Sequence, residues 1–283
     1  MVAVLAHNEE HKIIDCLQSL DSAAGNHPYD AYVLANGCTD NTEVVVRNFI
    51  KNKPHLHLVS IEKGDKCNAW NVFVHEVHAA ADLYFFIDGD VTAADNALLA
   101  MSIALERQPD AIAGAALPIT GRSVETQKEI VRREHGMAGN LYVLRKEFIN
   151  NMRQQNLRLP IGIVGDDSLL GALVMWNLNP SSGWRKENVV VCDEAGFAFE
   201  SMSPFLVDDW RVQWKRMKRY SRRYFENSML REILRNEGIG SMPETNIDLY
   251  RRKLHECRLR WRGLWTVFDF LALREMEKVL RSR

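Results

Sequence analysis

Two aspartates separated by one glycine, Asp88 and Asp90, close the apolar run in LYFFIDGDVT (83–92). At the carboxyl end of a strand both carboxylates can reach one mouth, because Gly89 allows a tight backbone between them. Hard divalent cations such as Mn2+ and Mg2+ take oxygen ligands and commonly arrive with substrate phosphates completing the shell. Asp88 and Asp90 would therefore anchor a metal on the diphosphate of a nucleotide, where it offsets charge building on a leaving group. The competing structural reading has Asp88 capping a turn and Asp90 solvated. A second acidic pair, Asp166-Asp167 in IVGDDSLLGALV (163–174), precedes an apolar run of helical period and suits a helix cap with an acidic first turn.

Continuously apolar segments supply the elements that must position these groups. Strand candidates are 2–6, 31–35, 56–61, 82–87 and 110–117, unbroken as in strands covered on both faces, hence a parallel sheet. Between them lie helix candidates at 9–21, with Ile13, Ile14, Leu17 and Leu20 on one face, and at 40–51, 65–80 and 95–107. This β-α-β-α order predicts an α/β fold, a doubly wound, mainly parallel sheet with helices on both faces. Ligands of such sheets bind beyond the carboxyl ends of the strands. There the chain places His7-Asn8-Glu9-Glu10, Asn36-Gly37-Cys38-Thr39-Asp40, Glu62-Lys63-Gly64-Asp65-Lys66 and Asp88-Gly89-Asp90, a polar crest suited to anions and metals. No G-x-G-x-x-G or G-x-x-x-x-G-K-[ST] follows the first strand, which removes most support for a dinucleotide dehydrogenase or a P-loop ATPase. Beyond residue 125 the pattern predicts a helix at 125–138, a strand at 140–145, a helix near 167–177, a strand at 188–192 and a helical basic tail. That tail breaks at Glu237-Gly238-Ile239-Gly240 and Pro243.

With 283 residues, 46% hydrophobic and 26% charged, the chain suits one large α/β domain with a small appendage. The five cysteines are scattered and form no C-x-x-C pair, so reduced thiols are expected. The net charge of −1 hides an asymmetry: residues 211–283 hold 19 Lys and Arg against 9 Asp and Glu, net +10, which leaves −11 for 1–210. A basic tail suggests an anionic partner or a solvated helical face. No apolar run reaches the ~20 residues a membrane span needs. The opening MVAVLAHNEE lacks the layout of a secretory signal, so the expected location is cytoplasmic.

In order and spacing, VAVLAHNEE, LANGCTDNT, KGDKCNAWN and FFIDGDV resemble the nucleotide-sugar-binding half of family-2 glycosyltransferases of the GT-A fold. The resemblance is close over residues 2–95 and extends to about 217. It implies a catalytic domain over 1–210, with a donor-binding half at 1–95 and an acceptor and base half at 96–210, and a helical extension at 211–283. It also implies that Asn8, Glu9 and Glu10 sit near the nucleoside, that Asn36, Asp40, Lys66, Asn71 and Asp88 hold the donor, and that Asp88 and Asp90 bind Mn2+ or Mg2+. Where the family has two adjacent aspartates, this chain has Ala35-Asn36. Asp40 also suits the N-cap of helix 40–51. The pair Asp166-Asp167 resembles the family's acidic pair beside the acceptor, which makes Asp167 the expected general base and Asp166 its catalytic neighbour. In DDWRVQWKRMKRYSRR (208–223), Gln213 and Arg216 match a Q-x-x-R-W segment, with Met217 in place of tryptophan. That replacement implies one-at-a-time transfer, with Arg216, Lys215 or Arg219 toward the diphosphate. In GNLYVLRKEF (139–148), Asn140 and Arg145 are candidates for the acceptor. His255 is too far along the tail to serve as a third metal ligand.

The expected activity is metal-dependent, inverting, non-processive transfer from a nucleoside-diphosphate sugar, a UDP-sugar above others, to a hydroxyl acceptor that is a saccharide or lipid-linked. A sugar nucleotidyltransferase, or a nucleotide-sugar-binding subunit without catalysis, are the alternatives. The segment 257–283 mixes Trp261, Trp265, Phe268, Phe270 and Leu271 with arginines. It suits packing on the domain, contact between copies, or peripheral attachment to the inner face of an anionic membrane. Nucleic acid is not an expected partner.

Overall fold

VAVLA, AYVLAN, LHLVSI and LYFFID become β1 (Val2–Ala6), β2 (Ala31–Asn36), β3 (Leu56–Ile61) and β4 (Leu83–Asp88). The computed structural model describes the chain except residues 78–79, 122, 138, 200–206 and 282–283; of 207–212 it describes the backbone alone. Helices α1 (Ile13–Ala23), α2 (Thr42–Phe49) and α3 (Lys66–His75) connect the first four strands. Next come β5 (Val91–Ala93), α4 (Ala97–Arg107), β6 (Ala113–Pro118), α5 (Val124–Glu134), β7 (Leu141–Arg145), α6 (Lys146–Gln154), α7 (Asp166–Met175) and β8 (Val189–Phe199). Helices α8 (Val207–Glu237), α9 (Asn246–Lys253) and α10 (Leu264–Arg281) end the chain.

The eight strands make one sheet in the order β3-β2-β1-β4-β7-β6-β8-β5. Strands β1 to β4 pair in parallel, so their carboxyl ends share one edge. The sheet is mixed rather than wholly parallel: β7 runs antiparallel to both β4 and β6, and β5 runs antiparallel to β8. Because β7 is reversed, its amino end, not its carboxyl end, lies beside Asp88, and the Asp88 N–H donates to the Asn140 carbonyl at 3.1 Å. Arg145 is thereby carried to the opposite edge. Its guanidinium bonds the carbonyls of Ala111 (2.6 Å) and Leu105 (2.6 Å), so it closes the end of α4, away from Asp88.

Apolar residues of α1 and α4 pack one face of the sheet, while those of α3, α6, α7 and α8 pack the other, which gives the two-sided burial that unbroken apolar strands require. On the second face Trp70, Phe86 and Tyr142 stack, with ring centroids 5.6 Å and 5.0 Å apart. The Trp70 indole N–H donates to the Tyr142 hydroxyl at 3.0 Å.

Several helices are shorter than their apolar period predicts. Helix α1 starts at Ile13 rather than residue 9: the Lys12 and Ile13 N–H groups both close on the Glu9 carbonyl (3.0 and 2.9 Å) in a turn that ends at Lys12 (φ −119°), the cap position. Helix α3 ends at His75, and the remainder of the expected 65–80 span includes 78–79, outside the described residues. Helix α5 stops at Glu134, before left-handed His135 (φ 50°), and residue 138 of its expected span is likewise outside. The tail breaks where Gly238 takes a positive φ of 85°.

Candidate active site

The loop after β1 is laced to the loop after β2. The Asn8 Oδ1 accepts from the Thr39 N–H (2.8 Å), the Glu9 N–H donates to the Thr42 Oγ1 (2.8 Å), and the Glu10 Oε2 accepts from the Asn41 N–H (2.9 Å). Asp40 accepts from the N–H of Glu10 (3.1 Å) and from the N–H and hydroxyl of Thr42 (3.0 and 2.6 Å). Burial is the largest single effect and raises its carboxyl, but those hydrogen bonds together outweigh it and hold the carboxyl below the usual range. Asp40 thus ties the start of α2 from one residue ahead of the cap position, Asn41, whose own side chain makes no cap bond.

The loops after β2 and β3 cross with Gly37 packed against Gly64. A methyl group on Gly37 (φ 60°) would lie 2.4 Å from the Gly64 Cα, so only glycine fits. Buried Asn36 accepts from the Asp65 N–H at 2.8 Å. Asp65 caps α3 through the Asn68 N–H (2.9 Å) and reaches across to the Gly162 N–H (2.8 Å). Asn71, expected beside the donor, is 3% exposed, and both ends of its amide bond the Leu159 backbone at 2.8 Å. A buried amide satisfied at both ends is a strut for the 157–165 segment, and that is its correction.

At the end of β4 the Lys66 Nζ lies 2.6 Å from the Asp88 Oδ1 and 3.8 Å from the Asp166 Oδ2. The two acidic pairs, 76 residues apart in sequence, are therefore bridged by one ammonium. Burial works against that charge, but Asp88 and Asp166 outweigh it and hold Lys66 protonated above its ordinary value. Asp90 is exposed beside His11, Lys12 and Asp15 at the edge of the cluster. Burial, then the charges of Asp90, Asp40 and Asp88, raise the Glu9 carboxyl, and burial reinforced by Asp167 raises that of Asp166 against the pull of Lys66.

Asp166 and Asp167 form the first turn of α7, and the segment that presents them is held from α8. The Glu226 carboxylate, fully buried, accepts from the Val164 N–H (2.7 Å), Arg222 (2.8 Å) and the Tyr250 hydroxyl (2.5 Å). Arg222 also donates to the Gly162 carbonyl, as does the Asn246 amide at 2.9 Å. Arg223 sits 2.6 Å from the Asp167 Oδ1 and donates to the Ser168 hydroxyl. Gly139 passes close by, and a methyl group there would lie 3.0 Å from the Asp167 Cβ.

Arg216, the expected basic contact, is exposed and bonds Tyr220 on its own helix at 2.9 Å. It does not join the cluster; Arg223 does. Seven residues are about two helical turns, so Arg223 lies on the face of α8 that Arg216 occupies, further along. Sequence reading missed Arg223, Arg222 and Glu226, although all three fall within the same helical period. Gln213, Lys215 and Arg219 are exposed, and Asp208 and Asp209 have side chains outside the described residues. His255 is exposed and lies 3.6 Å from Glu256, on the tail.

The residues present fit a divalent cation. Asp88, Asp166 and Asp167 sit on two cations, Lys66 and Arg223, with Asp90 and Glu9 at the edge, close enough to act on Asp88 and on each other, and these oxygens are the hard donors that Mn2+ and Mg2+ take. No three His, Cys, Asp or Glu side chains converge on a metal position among the described residues. Asp88 and Asp90 would supply the protein's share of the shell, and a diphosphate and water the rest.

Burial raises the Asp88 carboxyl to about 6, against the pull of Lys66 and with help from Asp90 and Asp166. A carboxyl that holds its proton more tightly when folded stabilises the fold fully below about pH 4, and that contribution is lost as pH rises through about 6. In metal-free protein, wild-type stability relative to Asp88→Asn is expected to fall over that window, by on the order of 3 kcal/mol. Urea midpoints of both proteins across the range test this. Parallel profiles would mean that Asp88 ionises at an ordinary value.

The sequence matches the model of glycosyl transferase family 2 over residues 1–166. Among solved structures it is similar to the mannosyltransferase PcManGT from Pyrobaculum calidifontis in complex with GDP-Man and Mn2+. That match has a TM-score of 0.60 and 17% identity, and covers 99% of this chain and 82% of that one. It is also similar to S. aureus TarS 1–349 in complex with UDP-GlcNAc, at a TM-score of 0.53 and 14% identity over 99% and 91% of the chains. A third is glucosyl-3-phosphoglycerate synthase from Mycobacterium tuberculosis in complex with Mn2+, UDP and phosphoglyceric acid, at 0.52 and 17% identity over 77% of each. A comparison with curated proteins finds no match. At these identities the likeness shows a shared GT-A fold.

Proposed function

The chain belongs to glycosyl transferase family 2, and from that premise we propose that it transfers a sugar from a nucleoside diphosphate to a hydroxyl acceptor, with inversion and one residue at a time. The observation that carries this reading is the convergence of Asp88 and Asp166 on Lys66, with Arg223 on the adjacent Asp167. The loops at Asn8–Glu10 and Asn36–Asp40, with Lys66, hold the donor. Asp88 and Asp90 hold Mn2+ or Mg2+, which when bound offsets the charge growing on the leaving diphosphate. Asp167 takes the proton of the acceptor hydroxyl as that oxygen attacks the anomeric carbon opposite the leaving group. Its pairing with Arg223 fixes the carboxylate in direction, and Ser168 adds a second tie through its N–H at 2.7 Å. Met217, in place of tryptophan, supports single transfers over chain growth.

The donor class is tested by thermal denaturation with UDP and GDP, each with and without Mn2+. UDP with Mn2+ is expected to stabilise the chain, by roughly 2.7 kcal/mol at a hundredfold excess over Kd. Stabilisation by GDP alone would move the base assignment, and a shift with neither would sink the transferase reading in favour of a subunit that has lost the donor site.

Location is the second part of the proposal: the cytoplasmic face of an anionic membrane. Helix α10 packs on α8 through buried Phe268, Ala272 and Met276. Its other face leaves Leu264, Val267 and Phe270 exposed, next to Trp261 at 86% exposure, and continues with Arg274 and Lys278. An apolar tip followed by basic residues suits an interfacial helix. Among the described residues no helix is long and apolar enough to cross a membrane. Co-sedimentation with vesicles of phosphatidylglycerol, but not of phosphatidylcholine, is expected, and is expected to be lost in Trp261→Ser/Leu264→Ser. Equal recovery with both lipids would count against it.

A further inference from the structure

The side chain that bridges the two acidic pairs hangs from a fixed root. Lys66 is the first residue of α3, and Asp65 just before it holds that turn: one carboxylate oxygen accepts from the Asn68 N–H (2.9 Å), the other from the Gly162 N–H (2.8 Å). The Asp88 backbone is equally fixed. Its N–H donates to the Asn140 carbonyl (3.1 Å), and its carbonyl accepts from the Cys16 thiol (3.6 Å). Between two anchored backbones, the flexible four-carbon stem of Lys66 is the part that can change partners. Its side chain is 36% exposed, against 22% for Asp88 and 23% for Asp166, so it is more open to an incoming ligand than the carboxylates it covers.

We propose that Lys66 is a place-holding cation: without nucleotide it occupies the carboxylate that the metal needs, and an incoming diphosphate draws it off, so that metal and nucleotide enter as a pair. The inference rests on the transferase reading above and adds to it an order of events at one side chain. A divalent cation arriving alone has to share Asp88 with an ammonium 2.6 Å from its Oδ1, and like charges that close repel. Pushed aside, Lys66 keeps only the longer pairing with Asp166, at 3.8 Å. A diphosphate arriving alone brings more negative charge to Asp88 and Asp166, and gains the ammonium only by taking it from Asp88. When both arrive the charges re-pair, the metal with Asp88 and the diphosphate, the ammonium with the diphosphate and Asp166. Each ligand thus removes the obstacle to the other, and the coupling is equal in both directions. A metal that bridges protein and diphosphate couples the two in any case. The discriminating result is therefore what happens to each ligand when the ammonium is removed.

Mn2+ affinity, read from the EPR signal of the free aqueous ion, is measured with and without whichever of UDP and GDP stabilises the wild type. The proteins are wild type, Lys66→Met, Lys66→Gln and, as a charge control, Lys63→Met, at an exposed lysine of the same loop. Wild type is expected to bind Mn2+ at least about tenfold tighter with nucleotide than without. Both Lys66 variants are expected to bind Mn2+ alone about tenfold tighter than wild type, yet to bind nucleotide with Mn2+ about tenfold more weakly. Opposite signs on the two ligands are not what a purely structural lysine would give, and Lys63→Met should match wild type in both. Wild-type affinity for Mn2+ that is the same with and without nucleotide would overturn the place-holder, a result that needs no variant to fold. So would Mn2+ affinity in the Lys66 variants no higher than in wild type, or an equal rise in Lys63→Met. Absence of any nucleotide binding by wild type in the presence of Mn2+ would instead overturn the transferase reading, and that is read before any variant is compared.

Discussion

Asp167→Asn is expected to lower kcat for transfer about 10²–10⁴-fold, the range for removal of a positioned general base. The substitution is nearly isosteric, and an amide oxygen can still accept from the Ser168 N–H and from Arg223, so the start of α7 stays in place. Donor affinity should therefore change little, and the loss should fall on kcat rather than on the KM for the nucleotide sugar. Single-turnover transfer at saturating donor, with nucleotide affinity measured separately, isolates the step. Transfer by the variant at a rate near that of the wild type would remove Asp167 from the role of base.

The second large effect is expected at a residue that touches no substrate. Glu226→Ala leaves the Arg222 guanidinium, the Tyr250 hydroxyl and the Val164 N–H without their shared acceptor in a buried setting. Breaking one side of a buried ion pair costs about 3–5 kcal/mol, and the expected loss in urea denaturation lies in that range. The damage also reaches the site, because the 162–165 segment loses its hold just before Asp166. Glu226→Gln, which keeps an oxygen for Val164, should recover part of the loss and most of the transfer activity. A drop below about 1 kcal/mol in the alanine variant would mean that the network is not coupled to the fold.

The donor half was readable because its determinants are local. Unbroken apolar runs mark strands buried on two faces, and the residues just past each run must emerge at the sheet edge, so Asn8, Glu9, Asn36, Lys66 and Asp88 could be grouped without knowing any contact. Periodicity says nothing of strand direction. The reversal of β7 was therefore invisible, and with it the separation of Asn140, at the site, from Arg145, at the far edge. The short β5 lies within three residues of the DGD turn and carries too few positions to show a period. Asn71 was misplaced for a related reason: an asparagine that binds a ligand and one that fastens a distant backbone look alike until Leu159 is seen opposite it. Residues 211–283 are basic in composition, yet Arg222, Arg223 and Glu226 are built into the floor of the site. Long-range pairing of this kind has no local signature.

The crossing of Gly37 and Gly64 has a mechanical consequence. Two loops whose backbones meet with no room for a methyl group share one degree of freedom rather than two. A displacement of either loop drives the other, and Asn36, bonded to Asp65, acts as the pin. On the reading proposed above, in which these loops hold the donor, such a coupled pair cannot reshape one side of the nucleoside site while the other stays still. Adaptation to a different base is therefore left to the outer rim, at His7–Glu10 and beyond Cys38, while the glycine crossing serves as a fixed axle about which that rim can vary.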